Sequence, residues 1–485
     1  MLCALGVAMS APAVSSHAAD LSAEFFVHEF SLTLDAGSRQ EILGPLFSFE
    51  TNGTRLEQRW TPVFSRTIDP GTDSEEIDFV YPVLTYDRFG TQYRLQLLQL
   101  LSFAGGESQD NVDVRRFSLF PFYFQQRSTD TNRDYTAFIP FYGHLKGRFF
   151  RDEVKFVMLP LYAQSRKKDV ITDNYLYPFF HLRHGDGLRG WQVWPLVGRE
   201  HKEITTRLDR FGDPEEVPGH DKFFVLWPFY FNNHLDIGTK NPQRQQILLP
   251  FYSLSRSPQR DSSSYLWPLF SYTEDREKKY TEWGAPWPLV VFTRGEGKSG
   301  NRVWPLFSKF HTPTQESSFY LWPLYKHTHA HAPPLDRDRT RILFFLYSDL
   351  VEKHTVTGET KRRRDLWPLF TQRRDLNGNE RLQVLAPLEP LLPGSKSIER
   401  DYSPIWSLWR AERNAKTGAA SQSLLWNLYR NDTTTTTRKC SLLFGLFQYE
   451  STPEGKRSRW FYLPVRRAIQ SSAAKSEPES NNRQR

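Results

Sequence analysis

One hydrophobic pattern dominates the chain. A short apolar run, rich in aromatics, centres on a proline that is followed by two bulky residues. Its clearest copies are Leu266-Trp267-Pro268-Leu269-Phe270, Val303-Trp304-Pro305-Leu306-Phe307, Leu321-Trp322-Pro323-Leu324-Tyr325 and Leu366-Trp367-Pro368-Leu369-Phe370. Looser copies centre on Pro45, Pro62, Pro82, Pro121, Pro140, Pro160, Pro178, Pro195, Pro228, Pro250, Pro288, Pro387, Pro404 and Pro464, so 18 of the 32 prolines belong to the pattern. Three copies lack the proline (Phe344-Phe345-Leu346-Tyr347, Leu425-Trp426-Asn427-Leu428-Tyr429 and Phe444-Gly445-Leu446-Phe447), and a degenerate one fits Leu97 to Phe103. About 22 units thus run from residue 45 to residue 464 with a period near 20. A fixed period of this size predicts stacked or meandering units.

Each unit reads as one strand. Its apolar centre is only about six residues long and rich in Trp, Phe, Tyr, Val and Leu, which favours strand over helix. The stretches between, such as Gly295-Glu296-Gly297-Lys298-Ser299-Gly300-Asn301 and Leu376-Asn377-Gly378-Asn379, carry turn residues. Helical spacing is nowhere sustained. The predicted fold is all-β, an antiparallel meander of about 22 proline-centred strands joined by short connections. Proline donates no ladder hydrogen bond. Its recurrence predicts a bend or bulge at one level of every strand, or a motif placed at strand ends, and a strongly curved sheet in either case.

Composition narrows the class. The 37 Phe, 21 Tyr and 14 Trp exclude a disordered chain despite a hydrophobic share of 39%. No apolar window reaches 18 residues, so no transmembrane helix is predicted. Residues 1–19 read as a secretory signal peptide: an apolar stretch from Leu2 to Met9 precedes small residues ending in Ala18-Ala19, although a basic start is missing. Cleavage there would remove Cys3 and leave Cys440 as the single thiol, without an internal disulfide or a cysteine zinc site. The rest reads as one β-repeat domain, residues 20–470, and a polar, disordered tail, residues 471–485. Leu21 to Leu43 would supply one or two leading strands, and residues 200–222 a long loop or a boundary between halves.

Two architectures compete. A large closed outer-membrane barrel suits the exported, aromatic-rich, helix-free chain, and the period suits strands of about 9–11 residues plus turns. The chain resembles outer-membrane barrels in architecture and address, not in motif. What the resemblance implies is a porin-like envelope protein of the cell outer membrane, structural or passage-forming. Against a wide barrel, a run such as Tyr320-Leu321-Trp322-Pro323-Leu324-Tyr325 is apolar on both faces of a strand. The alternative is a β-repeat scaffold (stacked sheets, solenoid or propeller) in the periplasm or at the cell surface, binding a protein or polysaccharide.

Candidate chemistry is sparse. His327, His329 and His331 alternate, which on a strand places three imidazoles on one face and makes them the candidate metal site. His181 and His184 would face opposite ways. Trp194, Trp227, Trp267, Trp287, Trp304, Trp322 and Trp367 directly precede motif prolines and form a candidate membrane-interface belt, with a packed ladder as the alternative. Basic clusters at Arg166-Lys167-Lys168 and Lys361-Arg362-Arg363-Arg364 would sit in solvated turns or contact lipid headgroups. The net charge of +8 is too well balanced to point to nucleic acid. The expected partners are outer-membrane lipid or lipopolysaccharide and other envelope proteins. No nucleophile elbow, phosphate loop, HExxH or dinucleotide fingerprint occurs, so neither an enzyme nor a cofactor is expected.

Overall fold

Proline-centred runs fold as tight turns with a strand on either side. The computed structural model describes residues 27–107, 112–208, 211–461 and 463–465. The expected signal peptide and tail lie outside these residues. Among them, 43 strands form a single sheet, and each strand pairs antiparallel with its neighbours in the chain. The all-β meander is therefore as the sequence predicts, but each repeat supplies two strands and not one. The apolar run is divided between the turn and the first residue of each flanking strand. Stretches between the apolar runs, such as Arg55–Trp60 (RLEQRW), are strand, and the expected turn at 295–301 is partly so, in Ser299–Val303.

The turn explains the proline. In Trp60-Thr61-Pro62-Val63 the Val63 N–H donates to the Trp60 carbonyl at 2.6 Å across a cis Thr61–Pro62 bond. That is a type VI turn, with proline at its third position. Fourteen motif prolines, from Pro62 to Pro368, follow a cis bond. Pro45, Pro387, Pro404 and Pro464 do not; Pro45 is the second residue of a short 3-10 turn (Gly44–Leu46) and Pro404 the second of a short helix (Ser403–Trp406). Three of the four proline-free units reach the same reversal with positive φ at both central positions, as type I′ turns require. Leu98 and Gln99 do so, as do Trp426 and Asn427, and Phe444 and Gly445. In Leu343-Phe344-Phe345-Leu346 only the first central residue, Phe344, has it.

Because every second turn is of this kind, the ribbon has two unlike edges. The proline edge carries Leu, Trp, Phe and Val at its turns. The opposite edge carries polar turns such as Asn52-Gly53-Thr54 and Asp186-Gly187, where Gly53 and Gly187 adopt the positive φ such reversals need. The long interval at residues 200–222 is an excursion on that polar edge. Val197–Lys202 and Gly219–Val225 pair within the main sheet, and Thr205–Leu208 with Pro214–Val217 form a separate hairpin between them. The leading segment yields two strands, Val27–Ser31 and Gly37–Ile42.

The two faces also differ. Cross-strand partners share a face, and following the register assigns each side chain. On one face the row nearest the proline edge is apolar from strand to strand: Phe64↔Phe79, Leu84↔Leu97, Tyr162↔Tyr175, Tyr252↔Tyr265, Tyr320↔Tyr325, Phe447↔Trp460. The other face is mostly small and polar, as in Ser65↔Asp78, Ser255↔Ser262 and Thr371↔Gln383, interrupted by an apolar cluster of Phe124, Tyr135, Ala137, Leu145 and Phe156.

The sheet curls until its two ends overlap by their polar faces. The Arg430 guanidinium lies 3.4 Å from the Phe30 ring centroid, Asn427 donates to Glu41, and Asn414 Nδ2 donates to the Thr33 carbonyl at 3.2 Å. Between Glu380–Val384 and Trp409–Arg413 the chain leaves the sheet as two short helices, α1 (Lys396–Asp401) and α2 (Ser403–Trp406). They lie on the polar face: Arg400 pairs with Asp78 and Asp401 and reaches Glu76 at 3.2 Å, and Tyr402 donates to the Tyr81 carbonyl. Among the described residues these contacts join the ends face to face, and no ladder runs between first and last strands.

Candidate functional site at the proline edge

Burial is inverted relative to an ordinary soluble sheet. Among the described residues, 11 apolar side chains are buried against 31 polar or charged ones, while large apolar side chains stand exposed from Leu43 to Phe461. Such patches on a soluble monomer rarely exceed a few hundred Å². Most of them form one continuous belt, made of the proline turns and the adjoining row of the apolar-belted face; Phe89, Phe150 and Val356 stand apart at the opposite edge.

The seven predicted belt tryptophans all occupy this edge, each immediately before a cis proline. Trp227, Trp267, Trp287, Trp304 and Trp322 are 38–48% exposed. Neighbouring turns place their rings in contact, with centroids 5.7 Å apart for Trp194 and Trp227 and 6.0 Å for Trp304 and Trp322. Trp367 packs edge-on to Phe345 and donates its indole N–H to the Pro387 carbonyl at 2.9 Å. The rings touch along the edge and still present surface. Sequence reasoning missed the accompanying row of Phe, Tyr, Val and Leu. Its signal was the bulky residue on either side of each turn.

Backbone polarity is neutralised along the same edge. In Leu226-Trp227-Pro228-Phe229, Leu226 N–H donates to Leu196, Trp227 N–H to Pro195 and Phe229 N–H to Leu226, at 2.6–2.7 Å; proline has no donor. Turns 176–179 and 321–324 are satisfied in the same way.

The His327, His329 and His331 imidazoles do share one face, on the strand Tyr325–Ala332. They oppose carboxylates on the next strand: His329 Nε2 lies 2.7 Å from Asp336, His327 3.6 Å from Asp338, and His331 3.6 Å from Asp336. Among the described residues no group of three or more His, Cys, Asp or Glu side chains is arranged to hold a metal ion. His181 and His184 fall on opposite faces. In the basic run at 361–364, Lys361 and Arg363 lie on one face and Arg362 and Arg364 on the other, the latter two paired with Asp349 at 2.6 and 3.6 Å.

The polar face carries a charged cluster that the sequence did not announce. Glu200 accepts from His220 Nε2 at 2.7 Å and pairs with Arg183 and with Lys222. Burial opposes its ionisation, but the bond from His220 and the charges of Arg183 and Lys222 prevail and hold the carboxyl at about 2. The arrangement braces adjoining strands; nothing in it pairs a nucleophile with a base.

No protein-family model and no curated protein matches the chain. No helix among the described residues is long and apolar enough to cross a membrane.

Proposed function

We propose that this chain is an exported envelope protein that seats its proline edge in the outer membrane, in a structural or passage-forming role. The observation that carries the reading is the inverted burial: an unbroken exposed apolar belt on one edge, against polar groups gathered on the covered face. Lipid is a solvent in which that belt is at no disadvantage, and the stacked turns leave few backbone groups for it to desolvate. Closure of the meander into a barrel is the finer form of the same proposal. The curl that brings Arg430 onto Phe30 supports it by bringing the two ends together. The test is flotation with phospholipid vesicles after refolding from denaturant. Recovery of folded, β-rich protein with the vesicles supports the reading. Folded, monodisperse protein that stays in the aqueous fraction without detergent would overturn it and leave the scaffold.

A further inference from the structure

Resting on the membrane reading, we infer that the proline edge enters a single lipid leaflet and ends within the hydrocarbon, without crossing to the far side. A spanning barrel brings both sets of turns out into water, so both should be polar. Here one set is apolar through its tips: Leu226, Leu266, Leu306, Phe251 and Phe344 are each more than half exposed. The other set is mostly Asn, Asp, Gly, Lys and Thr, with isolated exposed apolar tips at Phe149-Phe150 and Val356.

The distances agree. The row that is apolar from strand to strand lies two residues from the central pair of the turn, as Tyr320 and Tyr325 do from Trp322-Pro323. The next row, four residues away, mixes Trp191 and Phe292 with Lys155 and Asp349. These are depths of roughly 7 and 13 Å at the rise of a strand. One leaflet offers about 15 Å of hydrocarbon, half of the ~30 Å core. The strands themselves run from three residues (Leu463–Val465) to eight (Tyr230–Ile237), short of the 9–11 a spanning strand uses.

The backbone fits the same depth. A turn buried in hydrocarbon must satisfy its own N–H groups, at a penalty of several kcal/mol for each one left bare. The three donors of the turn at 226–229 are all used within the protein, and the proline supplies none. A turn emerging into water has no need of this. Further from the turns, the same face carries exposed cations at headgroup height (Arg127, Arg244 and Arg294), interspersed with carboxylates such as Glu274. The occupant is therefore a single phospholipid leaflet, with acyl chains around the turns and phosphates opposite these cations.

The test uses the full chain with Cys3 and Cys440 replaced by Ser and one cysteine at either end of the hairpin strand Gln315–Tyr320: Leu321→Cys at the proline turn or Thr314→Cys at the polar turn. Each variant is added to preformed phosphatidylethanolamine–phosphatidylglycerol vesicles and recovered by flotation. A fluorophore on Leu321→Cys should be quenched several-fold more by lipids spin-labelled near the chain end than by lipids labelled at the headgroup. Thr314→Cys should react fully with an impermeant thiol reagent outside. Reaction of Leu321→Cys with the same reagent trapped in the lumen would show the turn emerging on the far side and would overturn the single-leaflet inference, leaving membrane seating intact. Failure to float would instead remove the membrane reading on which it rests.

Discussion

At the scale of single residues, the repeat is a solution to one geometric problem: reversing a chain with apolar side chains at the turn. Proline at the third turn position does this in fourteen units, and positive φ does it where proline is absent. The second route has a cost, since a side chain with a Cβ in the left-handed region is disfavoured by roughly 1–2 kcal/mol. Lys168, at φ 55 in a polar turn, shows the strain apart from the proline edge. Lys168→Gly should stabilise the fold by about 0.5–1 kcal/mol, because glycine relieves the strain while its own chain entropy offsets part of the gain. A denaturant midpoint that falls in this variant would contradict the assignment.

Glu200 gives a second prediction at this scale. Against burial, the bond from His220 and the charges of Arg183 and Lys222 hold its folded carboxyl at about 2, below the ordinary 4.5. Stability from this group is therefore present above pH 4.5 and lost as pH falls from 4.5 toward 2. Two to three pH units correspond to about 3 kcal/mol as an upper figure, since the side chain is only 13% exposed. Glu200→Gln should lower the thermal midpoint at pH 7, and the gap from the unaltered protein should close by pH 2. A gap independent of pH would mean that packing and not charge holds this cluster.

At the scale of elements, the strands are polar on one face and graded on the other, from apolar beside the proline turn to charged at the far edge. The α1–α2 segment leaves the sheet and inserts Arg400 among Asp78, Asp401 and Glu76. Arg400 is 8% exposed, so removing its charge strands buried carboxylates. Arg400→Met should destabilise the overlap by about 3–5 kcal/mol. Adding Asp78→Asn and Asp401→Asn should recover part of that loss. Protease cleavage within residues 390–408 would report both changes, and an unaltered cleavage rate in Arg400→Met would show that the helices are held by other contacts.

At the scale of the whole molecule, stability cannot rest on a conventional apolar core, because the buried apolar cluster around Phe124 and Leu145 is small. The continuous ladder, the polar-face contacts and the belt's solvent must share the task. Leu269, Leu306 and Leu324 are 45–54% exposed at three turns. Replacing all three by Asp should leave β content unchanged and reduce the vesicle-bound fraction at least tenfold, since each buried leucine is worth about 1.5–3 kcal/mol. Equal binding of the triple variant would show that the belt does not carry the attachment.

The amino-acid sequence by itself determined the all-β class, the period, the antiparallel order and the tryptophan edge. Each of these follows from local pattern: apolar run length, turn residues and the spacing of Trp-Pro pairs such as Trp304-Pro305 and Trp322-Pro323. It did not reveal that one period holds two strands, because a six-residue apolar run looks the same whether it is a strand centre or a turn with its flanking residues. Only the tertiary structure decided which face each side chain takes. Alternation restarts at every turn, so Tyr320 and Tyr325 share a face only because the register pairs them. It also decided that the polar faces of the two ends meet, bringing Asn427 to Glu41 and Arg400 to Asp78 across more than three hundred residues of chain. Such contacts depend on the summed curvature of the whole sheet, which no local pattern encodes.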